Sequence, residues 1–461
     1  MTYKKALTNV DTRDARGVSS SNHAAINWHH NGRGTHLVPT PTLTSRAIAC
    51  LVAFTLPIRT PITGWLTFGM LIAIVIAPVL LQATRRSGRA TLFTVLVAFA
   101  LIAGWLTREA RLSVRPFTGI SGQLTLYQIG LLVALLVSVY AAWWSCTVVG
   151  SRVFLTSWSA GLISYLSTIG VFQSENAWKY GLALPVSIII SVYFTRANKT
   201  HLGTAFAIIA GVSIAFSYRS WLAIAAVAFG YVIFLRVAKA GATPVARKYN
   251  LLVIGAVFSA LIFGLYLLII KLATSGVLGE YVMQRTLRQE RIAGNALLGG
   301  RPEWGSAVGL ASENPFGFGL GVTPSSSDLS LAIRSLPVGN RSLQDGSNVA
   351  EAFRSGSFSF HSTLWNFWAN YGVGGAALII FIILLMAVLV VRLQGYSVDV
   401  GIVLPILLLC MGCIWDCLFS PTPIASIAAA VALAIHIASE SRSSNLRLNQ
   451  STNRGVREVR K

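Results

Sequence analysis

One histidine and a set of arginines supply most of the chemistry available to this chain. A polar stretch between long apolar runs opens with Gly299-Gly300-Arg301-Pro302-Glu303-Trp304 and closes at His361. Just upstream, Arg285, Arg288 and Arg291 recur every third residue, which on a helix places all three on one broad face. Such a face suits a helix lying on anionic headgroups. It also suits a diphosphate, because the planar guanidinium fork matches phosphate oxygens in pairs. Imidazole titrates near neutral pH and is suited to moving a proton. At a membrane surface, these residue types suggest chemistry on an anionic, lipid-carried substrate. Each has a plainer reading beside it: His361 as a helix cap or interfacial group, Arg219 as an interface anchor, and Arg301 as a surface residue.

The elements that must position these residues are membrane helices. With 54% hydrophobic residues, 11% charged residues and a mean hydropathy of +0.65, the chain is too apolar for a soluble protein. Runs of about 20 apolar residues, some shorter, each suffice to cross a bilayer. About twelve can be placed, near 45–58, 63–82, 91–107, 124–148, 153–172, 180–196, 202–217, 220–237, 250–274, 364–391, 401–419 and 422–438. The expected class is an all-α integral membrane protein with one long extracytoplasmic loop. Residues 1–44 form a polar tail, 45–274 hold spans one to nine, 275–362 form the loop, 363–438 hold the last three spans, and 439–461 form a basic tail.

The net charge of +22 would suggest nucleic acid in a soluble domain. Here many basic residues sit in short loops and in the tails, a pattern of topology and lipid contact rather than nucleic-acid binding. Arg85, Arg86, Arg89, Arg152, Arg196, Lys199, Arg236, Lys239, Arg247, Lys248 and Arg392 fall on one side, which the positive-inside bias makes cytoplasmic along with both termini. The long loop then lies outside. Arg108, Arg111 and Arg115 break the bias, which marks their loop as functional or amphipathic.

The remaining motifs carry less. Cys410, Cys413 and Cys417 share one apolar run and read as packing residues, since they lack the second ligand set that zinc requires. Asn314-Pro315-Phe316-Gly317-Phe318-Gly319-Leu320-Gly321 permits sharp turns or close backbone approach and is weak evidence for a phosphate cradle. Residues 322–359 read as a long flexible loop. Trp365, Trp368 and Tyr371 fit an interfacial aromatic belt better than a sugar platform. Lys271 and Asp416 lie in or near spans, where charge is costly and often functional, although one can snorkel and the other can bond a neighbouring helix.

In order and content, Arg301-Pro302-Glu303-Trp304, Asn314-Pro315-Phe316-Gly317-Phe318-Gly319, His361-Ser362-Thr363-Leu364-Trp365 and Tyr371-Gly372-Val373-Gly374-Gly375 resemble the O-antigen ligase and O-antigen polymerase family of bacterial membrane glycosyltransferases. Ser217-Tyr218-Arg219-Ser220-Trp221 is similar to that family's arginine at a span junction, and Asn176-Ala177-Trp178-Lys179-Tyr180-Gly181 to the polar segment opening its sixth span. Two positions depart from the pattern: Ser362 stands where Asn is common, and Tyr218 separates Ser217 from Arg219.

The resemblance implies a glycosyltransferase C-type-like bundle in the bacterial cytoplasmic membrane. It implies a polyprenyl-diphosphate-linked glycan donor, a glycan or glycolipid acceptor, and inverting transfer without metal or cofactor. His361 would be the catalytic base. Arg219 and Arg301 would hold the diphosphate, with Arg285, Arg288, Arg291 and Arg354 in reserve. The rival expectation is a transporter or flippase for a lipid-linked sugar or other anion, which explains spans and arginines without a reaction. A non-catalytic scaffold of an envelope-synthesis complex is a third.

Overall fold

The computed structural model describes residues 41–84, 88–114, 119–197, 201–241, 279–293, 303–336, 356–393 and 400–439, with 264, 267, 268, 270–277, 299, 301, 350, 351 and 353. Most of the N-terminal tail, the basic C-terminal tail, most of the ninth apolar run and Arg354 lie outside these residues. Among the described residues every regular element is a helix, and β pairing is limited to the isolated bridges Arg59 with Thr67 and Ile120 with Val322.

Among the described residues, six helical segments are long and apolar enough to cross a membrane: Gly88–Val114, Gly122–Thr168, Trp178–Thr195, Arg219–Arg236, Thr363–Arg392 and Gly401–Phe419. Leu43–Thr55, His201–Ala215 and Ile424–Ser439 are shorter apolar helices. We number the elements α1 (Leu43–Thr55), α2 (Phe68–Val75), α3 (Ala77–Thr84), α4 (Gly88–Val114), α5 (Gly122–Thr168), α6 (Ala183–Ala197), α7 (His201–Ala215), α8 (Arg219–Gly241), α9 (Glu280–Ala293), α10 (Glu303–Glu313), α11 (Ser326–Arg334), α12 (Thr363–Arg392), α13 (Val400–Phe419) and α14 (Ile424–Ser439).

Single residues decide where the apolar runs break. The run 63–82 becomes two eight-residue helices, because Pro78 has no N–H with which to continue the ladder to Ile74. Two expected spans, 124–148 and 153–172, join end to end as α5, bent at Gly150 with φ 79° and ψ 158°. The run 364–391 is broken at Gly372, at φ 63° and ψ −151°. In a straight helix, residues eight apart stand about 12 Å apart along the axis. Here a Cβ on Gly375 would lie 2.2 Å from the Phe367 carbonyl oxygen, so the first arm of α12 turns sharply back on the second.

Small residues then let the backbones approach. A Cβ on Gly161 would meet the Phe54 carbonyl, which seats α1 on α5, and Gly374 presses against Ala100 and Ala103 of α4. Pro405 in α13 leaves the Gly401 carbonyl without its helical donor, and the Thr195 hydroxyl of α6 bonds that oxygen at 2.5 Å. Cys410, Cys413 and Cys417 are buried free thiols on α13, where they fill space between helices.

The described part of the stretch expected as a long loop includes the helices α9, α10 and α11, of 14, 11 and 9 residues. Ser325 and Asp328 close a reciprocal capping box on α11. Phe318, Phe353, Phe358, Phe360 and Trp368 build a separate buried cluster, with Phe318 stacked on Phe358 at 4.0 Å. The described part of 322–359 is therefore not the flexible loop its Ser, Gly and Asn content suggests; its aromatics are sparse in sequence but gather in space.

Candidate functional site

The alternating glycines form a structural strap. Gly317, Gly319 and Gly321 all have positive φ (84°, 97° and 73°), a region costly for residues with a Cβ. Their amides are consumed by the protein: Gly317 N–H donates to Asn314 O, Phe318 and Gly319 N–H both to Ala369 O, Leu320 N–H to Gly104 O, and Gly321 N–H to Gln128 Oε1. The break at Gly372 explains part of this, since a helix end leaves carbonyls for other donors. With these amides turned inward, the strap is not a phosphate cradle.

Arg111 belongs to the same construction. Its Nη2 donates to both Asp328 oxygens, at 2.9 and 3.1 Å, and its Nη1 to Asn314 Oδ1 at 3.0 Å, while the guanidinium covers the Phe318 ring at 4.5 Å. The side chains of Arg111 and Asp328 are only 8% and 3% exposed. The basic residues at 108–115 that break the charge bias thus include one whose charge is fully compensated inside the fold. Arg108 lies over Trp105 and beside Glu109.

A different set of cations meets at the ends of α7, α8 and α13. Ser217 turns the chain between α7 and α8 at φ 53°, so Arg219 opens α8 at the junction. The polar segment before α6 is fastened to this junction: Asn176 Nδ2 donates to Phe216 O, Trp178 Nε1 to Ser213 Oγ, and Lys179 N–H back to Asn176 Oδ1. That brings Lys179 into the combined field of Arg285, Arg301 and Arg219, and Arg219 into the field of Arg285. Arg219 Nη1 donates to Thr286 Oγ1 on the buried side of α9, and Arg301 Nη2 reaches Ser420 Oγ at 3.5 Å. Asp416 lies within electrostatic range of Arg301. Burial first, and the Asp416 carboxylate second, push the Tyr218 phenol up to about 12, against a hydrogen bond with Ser220 and the charge of Arg301.

His361 is linked to this group through Ser420. It has φ 49°, and with Ser217 it is one of the two non-glycine residues with positive φ among the described residues. Its neighbours fix it: Phe360 is buried and its N–H donates to Asn366 Oδ1, Ser362 caps α12 and donates to Cys417 O, and Thr363 N–H donates to Ser420 O. Ser420 thus touches both the histidine turn and Arg301. Trp304 completes the joint by donating to Leu418 O and stacking on Phe419. His361 Nδ1 lies 3.9 Å from Glu303 Oε1, with the side chains 39% and 7% exposed respectively.

Of the residues singled out in the sequence, the structure brings together Arg219, Arg285 and Arg301, with His361 joined to them through α10 and the 416–422 turn. Arg285, Arg288 and Arg291 are all exposed on α9, and of the three Arg285 is the one in the field of Lys179 and Arg219. Lys179, Glu303, Tyr218 and Ser420 enter the site without having been chosen as site residues. The order of Asn176-Ala177-Trp178-Lys179 before an apolar run was the available signal for Lys179; Glu303 was visible only as a neighbour of Arg301. Ser362, where the resembled pattern has Asn, acts as the cap of α12. Among the described residues no three His, Cys, Asp or Glu side chains gather as a metal-binding group. No protein-family model matches this chain, and neither does any curated protein or solved structure.

Proposed function

We propose that this chain is a multi-pass membrane glycosyltransferase that joins a polyprenyl-diphosphate-linked glycan to an acceptor hydroxyl, as a ligase or polymerase of cell-surface polysaccharide. It spans the cytoplasmic membrane about twelve times, with both termini inside and the 275–362 segment outside. One observation carries this reading: Lys179, Arg219, Arg285 and Arg301, drawn from four separate segments, lie within one another's electrostatic range, and Ser420 links Arg301 to the turn that carries His361.

The diphosphate is already a good leaving group, so the task is to place the acceptor, draw off its proton and stabilise negative charge on the departing phosphates. The acceptor oxygen attacks the anomeric carbon from the face opposite the diphosphate. The new C–O bond forms as the bond to the diphosphate breaks, inverting the configuration. The electron pair leaves with the phosphates, among Arg219, Arg301, Arg285 and Lys179, and the hydroxyl proton passes to His361. Fixed guanidinium charge performs the work that a divalent ion would otherwise perform.

The break at Gly372 is a feature that transporters share, which keeps flipping of the same lipid as the second reading. Purified protein in liposomes, given undecaprenyl-diphosphate oligosaccharide and glycolipid acceptor with chelator present, separates the two. Transfer is expected to make a new glycosidic bond, and His361→Ala is expected to lower turnover by about 10²- to 10⁴-fold with the fold retained. Lipid flipping without a new bond selects the transporter. His361→Ala working at the wild-type rate removes the base assignment.

A further inference from the structure

The geometry points to Glu303 as the positioning residue of His361: its carboxylate holds the imidazole with Nδ1–H turned inward, which leaves Nε2 as the atom that receives the acceptor proton. This rests on His361 being the base of the proposed transfer.

The two ring nitrogens stand in different surroundings. Nδ1 is buried and has no hydrogen-bond partner at its present distance, while Glu303 Oε1 faces it at 3.9 Å. The ring as a whole is 39% exposed, so the solvent-facing edge is the one away from Glu303. A neutral imidazole carries one N–H, and the group that bonds one nitrogen decides which nitrogen keeps its lone pair. A carboxylate accepts only, so opposite Nδ1 it selects the Nδ1–H form. The gap of 3.9 Å exceeds a hydrogen bond, and such contacts tighten when substrate binds.

Both partners are held for this task. Glu303 lies in the first turn of α10, where the helix dipole favours a negative charge, and Trp304 next to it is tied to Leu418 O. The turn at His361 is fixed by Phe360, Ser362 and Thr363, and its positive φ shows a conformation imposed by those neighbours. Arg301 and Asp416 stand on the same joint, with Asp416 within electrostatic range of Arg301. When the acceptor proton reaches Nε2, the imidazolium that forms faces the Glu303 carboxylate, so the charge made in the step is met by a charge already in place.

The test uses full-length protein in lipid with isotopically labelled histidine. The chain has seven histidines, and subtraction of a His361→Gln spectrum identifies the signal of interest. At alkaline pH, where imidazole is neutral, the wild type is expected in the Nδ1–H tautomer. Glu303→Gln replaces a group that can only accept with an amide that can accept or donate, so the Nδ1–H form is no longer enforced and the population is expected to move toward Nε2–H. In transfer assays E303Q is expected to lose at least about 100-fold in kcat with KM within about threefold, because the cations that bind donor are untouched. Glu303→Asp, which keeps the charge, is expected to recover part of that loss, which a folding defect would not predict.

An Nε2–H tautomer in the wild type, or E303Q turning over at the wild-type rate, overturns the inference. Failure of the transfer reading is distinguishable. A wild type that makes no glycosidic bond but shows the Nδ1–H form, moved by E303Q, upholds the Glu303 contact and removes the transferase.

Discussion

Arg111, in the last turn of α4, and Arg301, two residues before α10, are treated by the fold in opposite ways. Arg111 is enclosed and its charge answered by Asp328, Asn314 and Phe318. Arg301 reaches a hydroxyl at 3.5 Å, shares the field of Asp416, and stands with three further cations, Lys179, Arg219 and Arg285. A compensated arginine clamps elements together. Four cations near one carboxylate repel one another, and an anion of more than one charge placed among them would relieve that repulsion. Composition alone does not separate these roles; the partners do.

The largest expected effect is on the clamp. Arg111→Leu leaves the buried Asp328 carboxylate unpaired and is expected to destabilise by about 3–5 kcal/mol, read as a lower thermal midpoint in detergent. Arg301→Gln, by contrast, is expected to change the midpoint little. If the two variants melt alike, the contrast between clamp and anion site is wrong. Gly319→Ala tests the strap that the clamp holds down. A Cβ there would stand 2.4 Å from Arg108 N at a φ of 97°, so a loss of about 1–3 kcal/mol or more is expected, with diphosphate binding retained.

The anion site is expected to respond in binding rather than stability. Removing one charge-assisted contact is worth about 1.5–3 kcal/mol, roughly a 10- to 100-fold weaker dissociation constant. Arg301→Gln, Arg219→Gln and Lys179→Gln should each show this toward undecaprenyl diphosphate, with the thermal stabilisation by that ligand reduced in step. Arg291→Gln, on the exposed face of α9, serves as the contrast. Equal losses at Arg291 and Lys179 would mean that the basic surface acts as a whole and that no defined site exists.

The membrane class was legible from composition because roughly 20-residue apolar runs have one physical use. His361, Arg219 and Arg301 were singled out by a pattern in their order along the chain, and of these the structure brings Arg219 and Arg301 into the field of one lysine, Lys179. Other features were not. Breaks at Gly150 and Gly372 depend on one backbone angle within runs that remain apolar throughout, so hydropathy passes over them. The strap glycines read equally well as a cradle until the direction of their N–H groups is known. Lys179 sits at the edge of an apolar run and looks like an interfacial anchor, and the bonds from Asn176 to Phe216 O and from Trp178 to Ser213 Oγ carry it to Arg219. Glu303 approaches His361, a residue distant in the chain, and nothing local in the sequence marks that approach.

The smallest effect concerns strain, and it also divides the two regions. In the strap every positive φ falls on glycine, where it is nearly free of penalty. At the anion site two positive φ values fall on Ser217 and His361, residues with a Cβ. Ser217→Gly removes the steric cost without touching a charge and is expected to raise stability by about 1 kcal/mol. The glycine also frees the junction that aims Arg219, so affinity for undecaprenyl diphosphate should fall even as the midpoint rises. Opposite signs in the two measurements would mark Ser217 as a residue kept for the aim of its neighbour. A rise in both would mean that the turn is merely tolerated, and that the fold treats strain alike in both regions.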